Sequence, residues 1–168
     1  SAASAVKDID KINHVIDTGD IAMDLFRTNG DADSSVRFKM FNKGASVPLS
    51  DVLPMLENMG LKVNGEEPFE VLEHSAEAAH VVWIHDFDME TRSGEAVDLG
   101  ANRNNFQDTL GRVFTGAASD DGFNVLVLAA GLSWRQVLVL RAYCKFLLQA
   151  RIAYSQAYME ETLANNPG

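Results

Sequence analysis

Residues 47–63 read VPLSDVLPMLENMGLKV, an amphipathic helix running into a strand with a proline inside it. Leu49, Val52, Leu53, Leu56 and Met59 recur at i, i+3, i+4, i+7 spacing and share one face. Gly60 stands where a helix ends, since glycine adopts positive φ at little cost. Pro48 suits the helix start, where its missing N–H would be unpaired in any case. Pro54 is tolerable if the regular helix begins at Ser50, with Ser50 as N-cap and "VPL" as a tight lead-in. A start at Pro48 would place Pro54 in the interior, at a cost of up to ~3 kcal/mol.

The flanks of this segment supply its partners. Upstream, Ile21, Met23 and Leu25 alternate with polar residues, as do Val36, Phe38 and Met40 with Arg37 and Lys39. The turn-rich "TNGDADSS" lies between them, so a hairpin is predicted with strands near Ile21–Thr28 and Ser35–Asn42. Downstream, residues 61–73 read as a strand bent at Asn64-Gly65, and "SAEAA" (75–79) as a short connector. The β-branched and aromatic run 80–90, HVVWIHDFDME, is the most strand-like stretch. A loop over 91–101 precedes a helix over 102–116, with Asn102 or Asn105 near its start. The order strand, helix, strand, strand, helix is most of a ferredoxin-like unit. Strand Ile21–Thr28 is assigned the place of the missing fourth strand.

The rest is helical by pattern. Val6, Ile9, Ile12, Val15 and Ile16 form one stripe that Gly19 can stop. The short apolar run Val125–Ala130 fits a buried strand or a buried helix; the Asp120-Asp121 start and the Gly131 end favour helix. Ser133 and Gln136 form a capping-box pair ahead of the next helix. A last helix is predicted over Ser155–Ala164. Tyr154, Tyr158 and Leu163 with Val139, Tyr143 and Phe146 suggest a helical hairpin bearing an apolar patch that drives self-association.

Composition narrows the function classes. In 168 residues the formal net charge is −10, which argues against nucleic acid, because neutralising phosphates needs a basic face. The longest apolar run, Val125–Ala130, is far short of a membrane span. The sequence shows no secretory signal, and the single Cys144 excludes an internal disulfide framework and a cysteine-based zinc site; a cytoplasmic setting is expected. His80 and His85, five apart on one strand, point to opposite faces and do not ligate one metal together. His74 and His80 miss the i, i+4 spacing of a helical zinc motif. No metal site and no catalytic set emerges. Asp86, Asp88 and Glu90 read as a solvated strand end, and Cys144 as a buried inert thiol.

Two resemblances follow from these residues. VPLSDVLPMLENMGLKV resembles the signature of ACT domains, ferredoxin-like modules that often bind amino acids and regulate metabolic enzymes. More widely, "VRFKMFNKGASVPLSDVLPMLENMGLKV", "VWIHDFDME" and "DDGFNVLVLAAGLSWRQVLVLRAYCKFLLQA" are similar to consecutive segments of the large bacterial NAD-specific glutamate dehydrogenases, upstream of their catalytic region. The resemblance implies an α+β fold: an ACT-like antiparallel sheet with helices on one face, plus a helical C-terminal extension. The division it suggests is an N-terminal helix or linker over 1–18, the ACT-like module over 19–118 and the extension over 119–168. It implies NAD and glutamate chemistry in a parent enzyme, with no cofactor held here: the chain has no G-x-G-x-x-G. The catalytic domain of the same polypeptide and a homo-oligomer are the implied partners. The effector turn of an ACT domain would fall on Val47, Pro48, Leu49 and Ser50. Leu49 stands where ligand-binding members carry glycine, so its side chain crowds the approach to the backbone. Trp134, Tyr154 and Tyr158 are the expected interface residues. A stand-alone amino-acid sensor is the alternative reading.

Overall fold

A computed structural model describes residues 2–74 and 79–166. Helix α1 (Ala2–Thr18) precedes strands β1 (Ala22–Phe26) and β2 (Ser35–Lys43), helix α2 (Leu49–Asn58), strands β3 (Leu61–His74) and β4 (Ala79–Thr91), and helix α3 (Leu99–Phe114). A 3-10 turn (Gly122–Val125) leads into the single-turn α4 (Leu126–Ala129), then α5 (Trp134–Gln149) and α6 (Gln156–Asn165). The apolar run of uncertain type is therefore helical. The connector assigned to 75–79 lies, apart from Ala79, outside the described residues.

The sheet order is β1-β2-β4-β3, and every neighbouring pair is antiparallel. β1 pairs with the outer side of β2, with Leu25 opposite Phe38, and so takes the place of the fourth ferredoxin-like strand. Its own edge is blunted: the Leu25 N–H donates to Oε1 of Gln107 on α3 at 3.0 Å. Capping an edge in this way removes a template for strand addition. The bend at Asn64-Gly65 is a register shift in β3, where Val63 faces Met89 and Gly65 already faces Asp88.

Strand alternation sends Leu25, Phe38, Met40, Phe87 and Met89 to one face, against Val52, Leu56 and Met59 of α2 and Phe106 and Leu110 of α3. Phe38 stacks on Phe87 at 5.9 Å and meets Phe106 edge-on at 5.7 Å. The extension joins this same core through Phe123, Leu126, Val127, Val137 and Cys144. α1 is no linker. Its Val15, with Ile12 and Ile16, covers Ala22, Phe41, Val82 and Ile84 on the opposite face. Lys39 anchors it there through Asp8 at 2.6 Å.

Two helix starts differ from the sequence reading. α2 begins at Leu49, with Pro48 as its N-cap (φ −60°, ψ 133°) and no side-chain cap. Ser50 is thus inside the helix, and Pro54 is interior rather than at the first turn. Proline's fixed φ already meets the N-cap geometry, so no serine cap is required. Pro54 lacks the N–H that would bond the Ser50 carbonyl, but both residues are exposed, so water can satisfy that oxygen. Pro54→Ala should therefore stabilise the protein by about 1–2 kcal/mol, the interior penalty less the entropy an unfolded chain regains; urea unfolding monitored by circular dichroism measures it. α3 begins at Leu99 rather than Asn102, because the Asp98 carboxylate accepts the N–H groups of Gly100 (2.8 Å) and Ala101 (3.1 Å). Ser133 and Gln136 form the capping box that the sequence predicts. α6 runs Gln156–Asn165, with Ser155, expected as its first residue, serving as its N-cap.

Candidate functional site

The turn between β2 and α2 carries the expected contact residues Val47, Pro48, Leu49 and Ser50. Val47 is buried and joins the core, whereas Pro48, Leu49 and Ser50 are exposed. Beneath the turn lies His85, on the core face of β4 and only 2% exposed. Its Nε2 accepts the Val47 N–H at 3.3 Å, with Ser46 Oγ also at 3.3 Å. Its Nδ1 is 2.7 Å from Oε1 of Glu66 on β3. The ring is stacked between Trp83 (6.5 Å) and Phe87 (6.3 Å). Because Nε2 receives an amide proton, the ring proton sits on Nδ1 and is donated to Glu66. The turn is thus tied by one imidazole to the edge strand, just beyond its bulge.

Ser46 and Glu66 did not emerge from the sequence. His85 shares strand parity with Phe87 and Met89, which marks it as core-facing. Its partners, 39 and 19 residues away, left no local signal. His80 projects to the other face, paired opposite Glu73. Asp86 is held by Arg37 at 2.9 Å. That hydrogen bond above all, opposed by burial, raises Arg37 above its ordinary pKa and keeps the pair ionic. Lys62 on Glu90 (2.7 Å) holds that carboxyl below its usual range. Among the described residues no three His, Cys, Asp or Glu side chains are grouped to hold a metal.

A second region lies on the extension. Tyr154 and Tyr158 stack at 4.9 Å and are both more than half exposed. Beside them Tyr143 (65% exposed) and Phe146 (64%) continue an apolar face with Leu138 and Val139. A groove of about 250 Å³ runs between α5 and α6 over Phe123, Leu140, Cys144, Met159 and Leu163. Burial first, then Glu160 and Asp121, pushes the Cys144 thiol up, which suits an unreactive core cysteine. Trp134 is used within the chain. Arg112 of α3 lies 4.2 Å over its ring and Arg135 at 5.2 Å, so it clamps α5 to α3.

A β1-β2-β4-β3 antiparallel sheet backed by α2 and α3, with a turn-plus-helix segment after its second strand, defines an ACT-like module. The helices from Gly122 onward form an extension packed into the same core. Comparison with known proteins specifies it further. The family described as "Glutamate dehydrogenase, ACT3 domain" matches residues 20–101, and "Glutamate dehydrogenase, helical motif 3" matches residues 118–168. The NAD-specific glutamate dehydrogenase of Halomonas elongata is 41% identical over 167 residues, covering 99% of this chain. Those of Pseudomonas aeruginosa and Mycobacterium tuberculosis are each 33% identical, over 159 and 170 residues. The chain spans about 10% of the length of each of these relatives. It belongs to the glutamate dehydrogenase family, with the ACT3-domain match over residues 20–101 followed by the helical-motif-3 match over residues 118–168.

Proposed function

We propose that this chain is a non-catalytic regulatory and assembly segment of an NAD-specific glutamate dehydrogenase. The parent enzyme would oxidatively deaminate L-glutamate to 2-oxoglutarate and ammonia, with NAD held by a catalytic domain elsewhere in a longer, cytoplasmic polypeptide. The proposed division is 1–18 as an N-terminal helix, 19–118 as the ACT-like module and 119–168 as the extension.

One observation carries this reading: α5 leaves several large apolar side chains uncovered. Leu138, Val139, Tyr143 and Phe146 are exposed on α5, and Tyr154 and Tyr158 beside it. A contiguous apolar face of this kind on a soluble domain marks an interaction surface. About nine-tenths of each relative's length lies outside the matched segment. The occupant of this face is the rest of the same polypeptide, with α5 and α6 docking toward the catalytic domain. Contacts between like subunits at the same end would build a homo-oligomer. In the 168-residue chain by itself the face has no such cover, so self-association is expected in sedimentation velocity as concentration rises. The double variant Tyr143→Ser/Phe146→Ser should abolish it, since aromatic anchors dominate interface energetics. A wild-type chain that stays monomeric at high concentration contradicts the proposal.

The alternative is an amino-acid sensor at Val47–Ser50. What favours it is the His85 tie, which holds the Val47 amide in a fixed turn. Leu49 opposes it, standing at the first helical position with an exposed side chain. Calorimetric titration with an amino-acid panel decides: saturable binding that tightens in Leu49→Gly supports the sensor, and no heat from folded protein supports the assembly role.

A further inference from the structure

We propose that His85 is a proton-operated latch on the β2–α2 turn, with the imidazole exchanging the Val47 amide for the Ser46 hydroxyl when it becomes charged. The geometry requires an exchange of this kind. Nε2 accepts the Val47 N–H, and an amide can only donate. A second proton on the ring must go to Nε2, because Nδ1 already carries the one directed at Glu66. Nε2–H would then face N–H at 3.3 Å, a contact with two donors and no acceptor. Ser46 Oγ is already 3.3 Å from the same nitrogen, and a hydroxyl can accept as well as donate. Charging the ring therefore releases Val47 and engages Ser46.

The surroundings favour a two-position response. Glu66 of β3 is the ionisable group in contact with the ring, and its carboxylate partners either protonation state through Nδ1–H. From the other packed elements the ring meets Trp83 and Phe87 on its own strand, with Met40 of β2 and Pro68 of β3 opposite it in register. Movement is directed to the turn, because both neighbouring strands are fixed by ladder pairing on either side of His85. The turn leads directly into α2, so release of Val47 loosens the entry to that helix. Any consequence for an effector rests on the reading of Val47–Ser50 as a contact turn; the proton response does not.

The test is nuclear magnetic resonance of the 15N-labelled chain between pH about 8 and about 5, where imidazoles ordinarily titrate. At high pH the ring nitrogens should report the Nδ1–H tautomer. On acidification the Val47 amide should shift, and its protection against exchange, taken relative to the intrinsic base-catalysed rate at each pH, should fall at least tenfold with the same midpoint as the His85 ring. In His85→Gln, shown folded by its methyl spectrum, the Val47 transition should vanish. An Nε2–H tautomer at high pH overturns the proposal, as does a Val47 amide indifferent to the ring's titration or a ring that stays neutral throughout. If the coupled transition appears in a chain that binds no amino acid, the latch stands and the sensor reading falls.

Discussion

Replacing Arg141 by alanine is expected to cost about 3–5 kcal/mol, the range for breaking a buried ion pair from one side. Arg141 is 4% exposed and grips Asp121 through two bonds, Nε to Oδ2 at 2.6 Å and Nη2 to Oδ1 at 2.8 Å. Nη2 also donates to Asn124 Oδ1 at 3.0 Å, and the guanidinium lies over the Phe123 ring. One side chain on α5 thereby satisfies the polar atoms of the 3-10 turn that brings the extension into the core. Alanine would leave a carboxylate without its counter-charge, and an amide carbonyl without its donor, beneath a helix. Asp121 also caps the turn through the Phe123 N–H at 3.2 Å, so the charge it keeps cannot simply move away. Equilibrium urea unfolding gives the cost. A double-mutant cycle with Asp121→Asn should show coupling of about 1–3 kcal/mol, as for residues in one network. A loss under 1 kcal/mol for Arg141→Ala would mean that apolar contacts alone hold the extension.

Gly60→Ala should be nearly as damaging, for two separable reasons. Gly60 has φ +85°, and a Cβ there would come within 2.7 Å of Val125 Cγ2. The left-handed conformation costs an L-residue about 1–2 kcal/mol, and forcing a methyl group into a packed contact adds about 1–3 kcal/mol. Gly44 provides the comparison. Its φ is +89°, yet a Cβ would meet nothing within 4 Å, so Gly44→Ala should show the backbone cost alone. The excess of Gly60→Ala over Gly44→Ala, read from the same unfolding curves, measures how tightly the 3-10 turn seats on the end of α2. Equal losses would mean that the contact yields without cost.

Much of this architecture was legible because it is local. The stripe from Val52 to Met59, the alternation of Val36, Phe38 and Met40, and the Ser133–Gln136 pair each carry their meaning within one element. A serine near a helix start invites a cap, but α2 starts from Pro48, whose backbone fits the cap without a side-chain bond. The α3 start is obscured in the sequence because Gly100 weakens helix propensity just where Asp98 bonds its N–H directly. α1 showed its apolar stripe, but nothing in a stripe says which surface it covers; the partner was the second face of the sheet. The candidate site was legible only as a turn. Ser46, His85 and Glu66 meet through β2–β4 and β3–β4 pairing, and Arg141 reaches Asp121 across 20 residues. Of the expected interface residues, Tyr154 and Tyr158 lie on the exposed face, and the Trp134 ring has Arg112 at 4.2 Å and Arg135 at 5.2 Å.

The proposed cover of the α5 and α6 face is the rest of a glutamate dehydrogenase polypeptide. Hydroxyl-radical footprinting of Tyr143, Phe146, Tyr154 and Tyr158 tests it most directly, comparing dilute chain with a longer polypeptide that contains the same residues and the catalytic region. High reactivity is expected in the chain, where all four residues are more than half exposed, with several-fold protection in the longer protein. Equal reactivity of all four residues in both would contradict it.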